Sequence, residues 1–331
     1  YIHTLMALQA SGQIKFSEVG IELGASYGDI IRLQDASTGG IATINTNNTA
    51  ANRPDGGEPH ATSEWFSYNH AATAGSVTDS DYYWLGDGSN DTIRFSGHGS
   101  ALFTLNDDFS YSGWFRIDET FNDTQFLGTF SSSTPSGNDI IMVMYQKTSA
   151  RLMLRFRKGG GGNFHQRFWS LSSTNNTSIS GVNSNGWYSS NRGNVNGDGF
   201  VHLAFTRDNS NTASSGMNCY WNGQKFPEHI QFNSRALANF DIQSMAIGDS
   251  ISASPNNALV FKGGIDAVSV YNKELTQAEV TSLYNSGTPM TCADAGVTTS
   301  LLAEYRLENN TTNSSGTFPS LTNTGGTFTA Y

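Results

Sequence analysis

From Tyr82 onward the chain repeats one pattern, a short run of branched and aromatic residues closed by a cluster of Gly, Asn, Asp or Ser. The runs are "DTIRFSG", "FSYSGWFRID", "TQFLGTF", "DIIMVMYQ", "RLMLRFRK", "GFVHLAFTRD", "MNCYWNGQKF", "QSMAIGD" and "GIDAVSVY". Strands this short cannot bury a core singly, so they must pair into sheets and stack sheet on sheet. The predicted class is all-β, a two-sheet antiparallel jelly-roll sandwich. Composition agrees: only 14% of residues are charged, 12% are aromatic and 35 are glycine, unlike helical bundles rich in Glu, Lys, Leu and Ala. The firmest hairpin signal is "CYWNGQKF", where Asn222 and Gly223 are the preferred type I′ pair.

One helix signal stands out, in "FKGGIDAVSVYNKELTQAEVTSLYNSGTP". Thr276 and Glu279 have capping-box spacing, and Leu275 and Val280 have the spacing of a hydrophobic staple. Leu283 and Tyr284 extend the apolar stripe, Gly287 supplies a left-handed end, and Pro289 forbids continuation. In the preceding strand, strict alternation puts Asp266, Val268 and Val270 on one face and Ile265, Ala267, Ser269 and Tyr271 on the other. A carboxylate is thus expected to share a face with two valines.

Eighteen Lys and Arg against 28 Asp and Glu leave a formal charge of −10, which offers phosphates no attractive field. Sequence-independent nucleic-acid binding is excluded on that ground. Two cysteines, Cys219 and Cys292, are compatible with one bridge or two thiols. No apolar run reaches membrane-spanning length, and "YIHTLMALQASG" lacks the charged start and apolar centre of a signal peptide. Met6 is the expected start, with "YIHTL" as leader.

Residues 1–70 read as a small extended module with a Gly/Asn/Thr/Pro-rich middle. The small, polar stretch 71–81 reads as a linker, and 82–331 as the main domain. Inside that domain, residues 159–199 form a long irregular loop, a length that marks function or mobility. The end of the chain offers one more strand, "LLAEYRL", and a polar tail.

With these runs in order, residues 82–331 resemble the laminin G-like group of the concanavalin A-like jelly rolls. "DFSYSGWFRID" is similar to that family's early strand, and "GFVHLAFTRDNSNTASSGMNCYWNGQKF" to its central strand pair. "MAIGDSISASPNNALVFKGGIDAVSVYNKELTQAEVTSLYNSG" resembles its closing signature of Gly-Asp loop, Gly-x-Ile-Asp-x-Val strand and capped helix. The Glu-Tyr-Arg-Leu strand at 304–307 resembles the strand that opens the family's domain, yet here it comes last, which implies a circularly permuted sandwich. The N-terminal module resembles a segment at the start of tailed-phage virion structural proteins. Its "ALQxSGxIxFSEV" opening is Ala7 to Val19, and its Ser-Glu-Trp close is Ser63 to Phe66. This resemblance implies docking onto other virion proteins through residues 1–70, with the jelly roll displayed outside the particle.

The superfamily includes glucanases, which place two carboxylates about 5 Å apart across the scissile bond. Their Glu-x-Asp-x-x-Glu pattern is absent; the pairs Glu18 and Glu22, and Glu304 and Glu308, lack the central Asp, and Glu304 is assigned to an edge strand. Asp266 on an apolar face must be hydrogen-bonded, paired or metal-bound. One reading gives it backbone N–H donors; the other, raised by the resemblance, gives it calcium with Asp249 and Asn90 or Asp91 as co-ligands. The long loop carries His165, Arg167, Trp169, Trp187, Tyr188, Asn191 and Arg192. Trp169, Trp187, Tyr188, Asn191 and Arg192 suit saccharide capture, rings stacking on sugar and polar groups binding hydroxyls. Equally, Trp169 and Trp187 can pin the loop to the sandwich. Trp114 and Trp221 are read as packing, and His202 as a satisfied strand histidine. Asn-x-Ser/Thr sites such as Asn122, Asn175 and Asn310 would carry glycans in a secreted eukaryotic protein and are polar surface in a phage protein.

The sequence therefore leads to a non-enzymatic virion protein, in a tail fibre or on the capsid, whose jelly roll binds a host-surface glycan. A homo-oligomer without membrane insertion is expected, on the virion exterior or, alternatively, extracellular. A purely structural decoration or cement protein is the competing class, and a glucanase-like enzyme the third.

Overall fold

A computed structural model of the chain describes residues 18, 19, 23, 32–42, 54, 61, 65, 82–89, 91–104, 107–118, 124–132, 139–158, 164–171, 179, 199–210, 216–227, 229–231, 239–251 and 261–330. The chain divides into two compact units, Tyr1–Thr78 and Asp79–Tyr331. In the first, Val19, Leu23, Ala36 and Trp65 are buried in one small cluster, with Leu33, Ile41 and Ala42 packed against it. Val19 ends the "FSEV" opening and Trp65 belongs to the "SEWF" close, so the two ends of this segment meet. A short helix, α1 (Leu33–Ser37), contributes Ala36. The sequence pattern missed it, because five residues are too few to display a helical period.

The second unit consists mainly of strands: β1 (Tyr82–Asp87), β2 (Thr92–Phe95), β3 (Phe103–Thr104), β4 (Phe109–Ile117), β5 (Thr124–Ser131), β6 (Ile140–Gln146), β7 (Arg151–Arg157), β8 (Phe164–Ser170), β9 (Val201–Arg207), β10 (Met217–Trp221), β11 (Gln224–Lys225), β12 (Ile230–Gln231), β13 (Asp241–Ile242), β14 (Ser244–Ile247), β15 (Lys262–Tyr271), β16 (Leu301–Tyr305), β17 (Asn313–Gly316), β18 (Thr322–Thr324) and β19 (Thr327–Ala330). One sheet runs β11-β10-β9-β4-β15-β1-β19, with β16 and β17 continuing from the second half of β15. The other runs β12-β8-β7-β6-β5-β14-β2-β18, and β13 with β3 forms a two-stranded corner. Every paired strand is antiparallel to its neighbours. The two inner faces enclose one aromatic-rich core containing Trp84, Phe109, Tyr111, Phe130, Phe156, Trp169 and Trp221.

At the centre of the first sheet, β15 departs from strict alternation. Its register with β4 shifts between Asp266 and Ser269, and Ala267 adopts φ 44°, so a β-bulge interrupts the strand. Ile265 before the bulge and Val268 and Val270 after it all face the core. Asp266 pairs directly with Trp114, which belongs to an apolar cluster on the outer face. The expected shared face of Asp266 with the two valines is thereby corrected: the extra residue reverses the phase.

Tyr271, beyond the bulge, points outward and receives α2 (Gln277–Tyr284) together with Ala204 and Tyr220. The capping box forms, Thr276 Oγ1 accepting from Glu279 N–H at 3.3 Å and Glu279 Oε2 from Thr276 N–H at 2.9 Å. Leu275 and Val280, the staple pair, are both buried in the same cluster. At the C-terminus the left-handed turn comes earlier than Gly287, with Asn285 at φ 43° and Ser286 at φ 54°. The Asn222-Gly223 hairpin is present between β10 and β11, both residues at positive φ. Gln277 Nε2 donates to Gly223 O, tying helix to hairpin.

The expected polar tail is instead folded into both sheets. Strand β16 lies between β15 and β17, β18 pairs with β2 at the edge of one sheet, and β19 pairs with β1 at the edge of the other. Glu304 is therefore not on an edge strand; it is buried, accepting from Cys292 N–H at 2.6 Å and Ser314 Oγ at 2.9 Å. Edge strands present one face to water, so "NSSG" and "TNT" pair without an apolar pattern to announce them. Trp84 Nε1 donates to Asn323 Oδ1 at 3.0 Å, and a Cβ at Gly326 would stand 2.2 Å from that nitrogen, so the tail closes over a core tryptophan. Both cysteines are free thiols, Cys219 in the main core and Cys292 in the helix cluster.

Gly263 has φ 136°, and a Cβ there would stand 1.8 Å from Arg116 O, a backbone atom that cannot yield. Gly263→Ala should cost more than about 1 kcal/mol of unfolding free energy, whereas exposed Gly99→Ala should change it by less than about 0.5 kcal/mol. Urea denaturation of the two variants beside the parent checks the contrast.

Candidate ligand-binding face

The segment "RLMLRFR" makes β7 a strand with two opposite faces. Leu152, Leu154 and Phe156 enter the core, while Arg151, Met153, Arg155 and Arg157 project from the outer face of the second sheet. Beneath the arginines, Phe126, Ile140, Met142, Met144, Met153, Phe168 and Ala246 form a buried apolar floor on that same outer side. Arg151, Arg155 and Arg157 are half-buried. The Arg151 guanidinium lies 4.1 Å from the Phe168 ring centre, and that of Arg155 lies 5.2 Å from Phe164. Cation–π contact and apolar stems hold the heads in place, which reduces the entropy lost when a ligand binds.

Neighbouring strands supply amides in register. Arg151 Nε donates to Gln146 Oε1 at 2.7 Å on β6, and Arg155 Nε donates to Gln166 Oε1 on β8. Gln166 is 2% exposed, and its Nε2 has no hydrogen-bond partner. A buried amide donor left unpaired costs about 1–3 kcal/mol, so a ligand oxygen at this point would be favoured. Burial lowers the pKa of Arg155, and the charges of Arg157 and Arg151 lower it further. The face thus offers several fixed donors, an excess of positive charge and a dry floor.

Of the loop residues singled out from sequence, Trp187, Tyr188, Asn191 and Arg192 lie outside the described residues. Trp169 is 1% exposed and meets Phe205 edge-on at 6.0 Å between the sheets. It packs the core and has no free ring face for a sugar, which corrects its assignment to saccharide capture. His165 and Arg167 share Trp169's inward side of β8, opposite Phe156 and Leu154. There Arg167 donates to Met217 O and approaches His229 Nε2 at 2.9 Å. Trp114 and Trp221 are both buried packing residues, as expected. His202 is only half satisfied: Nε2 meets Ser112 Oγ at 2.8 Å, Nδ1 is buried without a partner, and burial lowers its pKa to about 3. The arginine row is visible in "RLMLRFR" as period-two spacing, which does not by itself say which face is buried.

The expected calcium ligands do not converge. Asp266 lies on the outer face of the first sheet, and its Oδ1 accepts Ala267 N–H at 2.7 Å. Asp249 follows β14 in the second sheet, and its carbonyl accepts from Thr129 Oγ1 on that sheet's outer side. The sandwich separates the two carboxylates, and an inter-sheet spacing of about 10 Å is far too wide for shared coordination. Asn90 lies outside the described residues. Asp91 Oδ2 accepts Asp87 N–H at 2.7 Å, bracing its own loop. Among the described residues no group of three or more His, Cys, Asp or Glu side chains is placed to hold a metal. The residues do not fit the calcium site drawn from sequence.

A family model, that of the concanavalin A-like lectin/glucanases superfamily in its laminin G-like form, matches residues 87–281. No curated protein matches the chain. Among solved structures, the heptameric SAP-like pentraxin of Limulus polyphemus is 11% identical over 76% of this chain and 95% of its own, with a TM-score of 0.46. The CBM40 domain of the Ruminococcus gnavus IT-sialidase is 12% identical over 60% of this chain and 97% of its own, with a TM-score of 0.37. The NanB sialidase of Streptococcus pneumoniae, as its K499G mutant, is 14% identical over 57% of this chain and 27% of its own, with a TM-score of 0.36.

Asp249 is fully buried, with Oδ2 unbonded and Arg94 only 4.0 Å away. Burial raises its pKa to about 6, against the opposing pull of the Ser250 N–H and Arg94. Because the folded value exceeds the ordinary 3.8, this group favours the fold most at acid pH, and that contribution is lost as pH rises through about 6. Asp249→Asn should therefore be roughly 1–3 kcal/mol more stable than the parent at pH 7, with the difference mostly gone by about pH 4. Chemical denaturation at the two pH values provides the measurement.

Proposed function

Since this chain belongs to the concanavalin A-like lectin/glucanases superfamily over residues 87–281, we propose that its sandwich binds carbohydrate and serves adhesion of a tailed-phage particle to a host-surface glycan. The observation that carries the binding role is the outer face of β6, β7 and β8. Planar guanidinium groups fixed on phenylalanine rings, beside the unpaired Gln166 Nε2, can each donate to saccharide hydroxyl and ring oxygens. Trp187, Tyr188, Asn191 and Arg192 belong to the same proposal as further ligand contacts from the long loop.

Binding without hydrolysis is favoured by the missing Glu-x-Asp-x-x-Glu pattern. Glu304 contributes nothing to catalysis in this reading, because both its oxygens are engaged inside the first sheet. The virion role rests on the resemblance of residues 7–19 and 63–66 to phage structural proteins. The meeting of Val19 and Trp65 in one cluster supports a folded docking unit there. In this proposal residues 1–70 join other virion proteins, the protein is a homo-oligomer, and the sandwich lies on the particle exterior.

Immunogold electron microscopy with antibodies to residues 82–331 should label the surface of intact phage particles carrying this chain. The purified full chain should bind host-surface polysaccharide and compete with phage adsorption. Unlabelled particles would sink the virion role. Surface labelling with no polysaccharide binding would replace adhesion by a structural decoration role.

A further inference from the structure

The net charge of −10 makes a concentration of arginine on one strand face unexpected. Arg155 and Arg157 are two residues apart, and Arg151 and Arg155 four, so the rises of an extended strand space the heads by roughly 7 and 13 Å. Arg151 and Arg155 are held by amide oxygens and aromatic rings, and among the described residues neither makes an ion pair. Among the described residues, Asp139 is paired with Lys158 at 2.8 Å, and Asp249 stands 4.0 Å from Arg94. Burial lowers the pKa of Arg155, and repulsion from Arg157 and Arg151 lowers it further, so this guanidinium gains from a nearby negative charge.

Gln166 supplies an independent observation. Its Oε1 is taken by Arg155, while its buried Nε2 has no acceptor. The side chain therefore presents a donor where a donor is costly, next to a guanidinium already short of negative charge. A neutral hydroxyl would satisfy the amide alone. An anionic oxygen would satisfy the amide and the arginines together, over a methionine and phenylalanine floor that strengthens charged contacts.

Resting on the reading that this face holds a glycan, we propose that Arg151, Arg155, Arg157 and Gln166 select acidic saccharides, those bearing carboxylate or sulfate ester groups. The acidic residues elsewhere on the chain oppose such a ligand only weakly, since charges farther than about 8 Å are screened at physiological ionic strength. Contact with the arginine row dominates once the ligand has arrived.

The test uses the full chain and three immobilised polysaccharides: polygalacturonate for carboxylate, carrageenan for sulfate, and laminarin as the neutral probe. Binding to one or both acidic probes is expected to exceed that to laminarin about tenfold or more, and to weaken as salt is raised. The carboxylate and sulfate arms show which anion the row prefers. Arg155→Met keeps the stem over Phe164 and removes the charge, and should cost about tenfold in acidic-probe binding. Arg155→Lys should restore part of it, and an unchanged thermal midpoint in both variants excludes misfolding. Equal or preferential binding of laminarin, or salt-independent binding unaffected by Arg155→Met, would overturn the acidic selection and leave glycan binding standing. Failure of all three probes and of host polysaccharide would overturn both.

Discussion

The bulge at Ala267 in β15 is the constraint on which the first sheet depends. Strand β15 touches β4 along its length on one side and is shared by β1 and β16 on the other, so its phase sets the faces of its neighbours. One extra residue lets Ile265 and then Val268 and Val270 reach the same core, and turns Asp266 and Tyr271 outward. Tyr271 becomes the seat of α2, and Asp266 is turned to the sheet's outer side, where it is still buried and accepts the Ala267 N–H. A carboxylate that strict alternation would have placed between the sheets is thereby moved to the outer side of the first sheet, where it is still fully buried and depends on its hydrogen bond.

The second sheet solves a different problem with the same period. Its inner face donates Leu152, Leu154, Phe156 and Trp169 to the core, and its outer face carries methionines, phenylalanines and arginines. The methionines and phenylalanines of that face are buried, and the arginines beside them are half-buried. Stability and recognition are thus divided between the two faces of one strand, and substitution of the outward heads leaves the packing of the inner face intact.

Much of this was legible in the sequence because it depends on local rules. The short strand runs, the Asn222-Gly223 hairpin and the Thr276–Glu279 capping box each require only neighbouring residues, and each is found. The arginine row was equally readable at positions 151, 155 and 157, but period two alone gives two faces without saying which is buried. Trp169 shows the reverse error. Its place beside a polar loop suggested a binding ring, whereas the register opposite Leu152 puts it in the core.

Turn chemistry and apolar period act within a few residues, so the order of amino acids already requires short strands paired into a sandwich and closed by one capped helix. The phase of β15, the recruitment of the polar tail to both sheet edges and the separation of Asp249 from Asp266 emerge only when the strands assemble. Those outcomes depend on which strands lie side by side across hundreds of residues of chain, where a single inserted residue reverses every face that follows it.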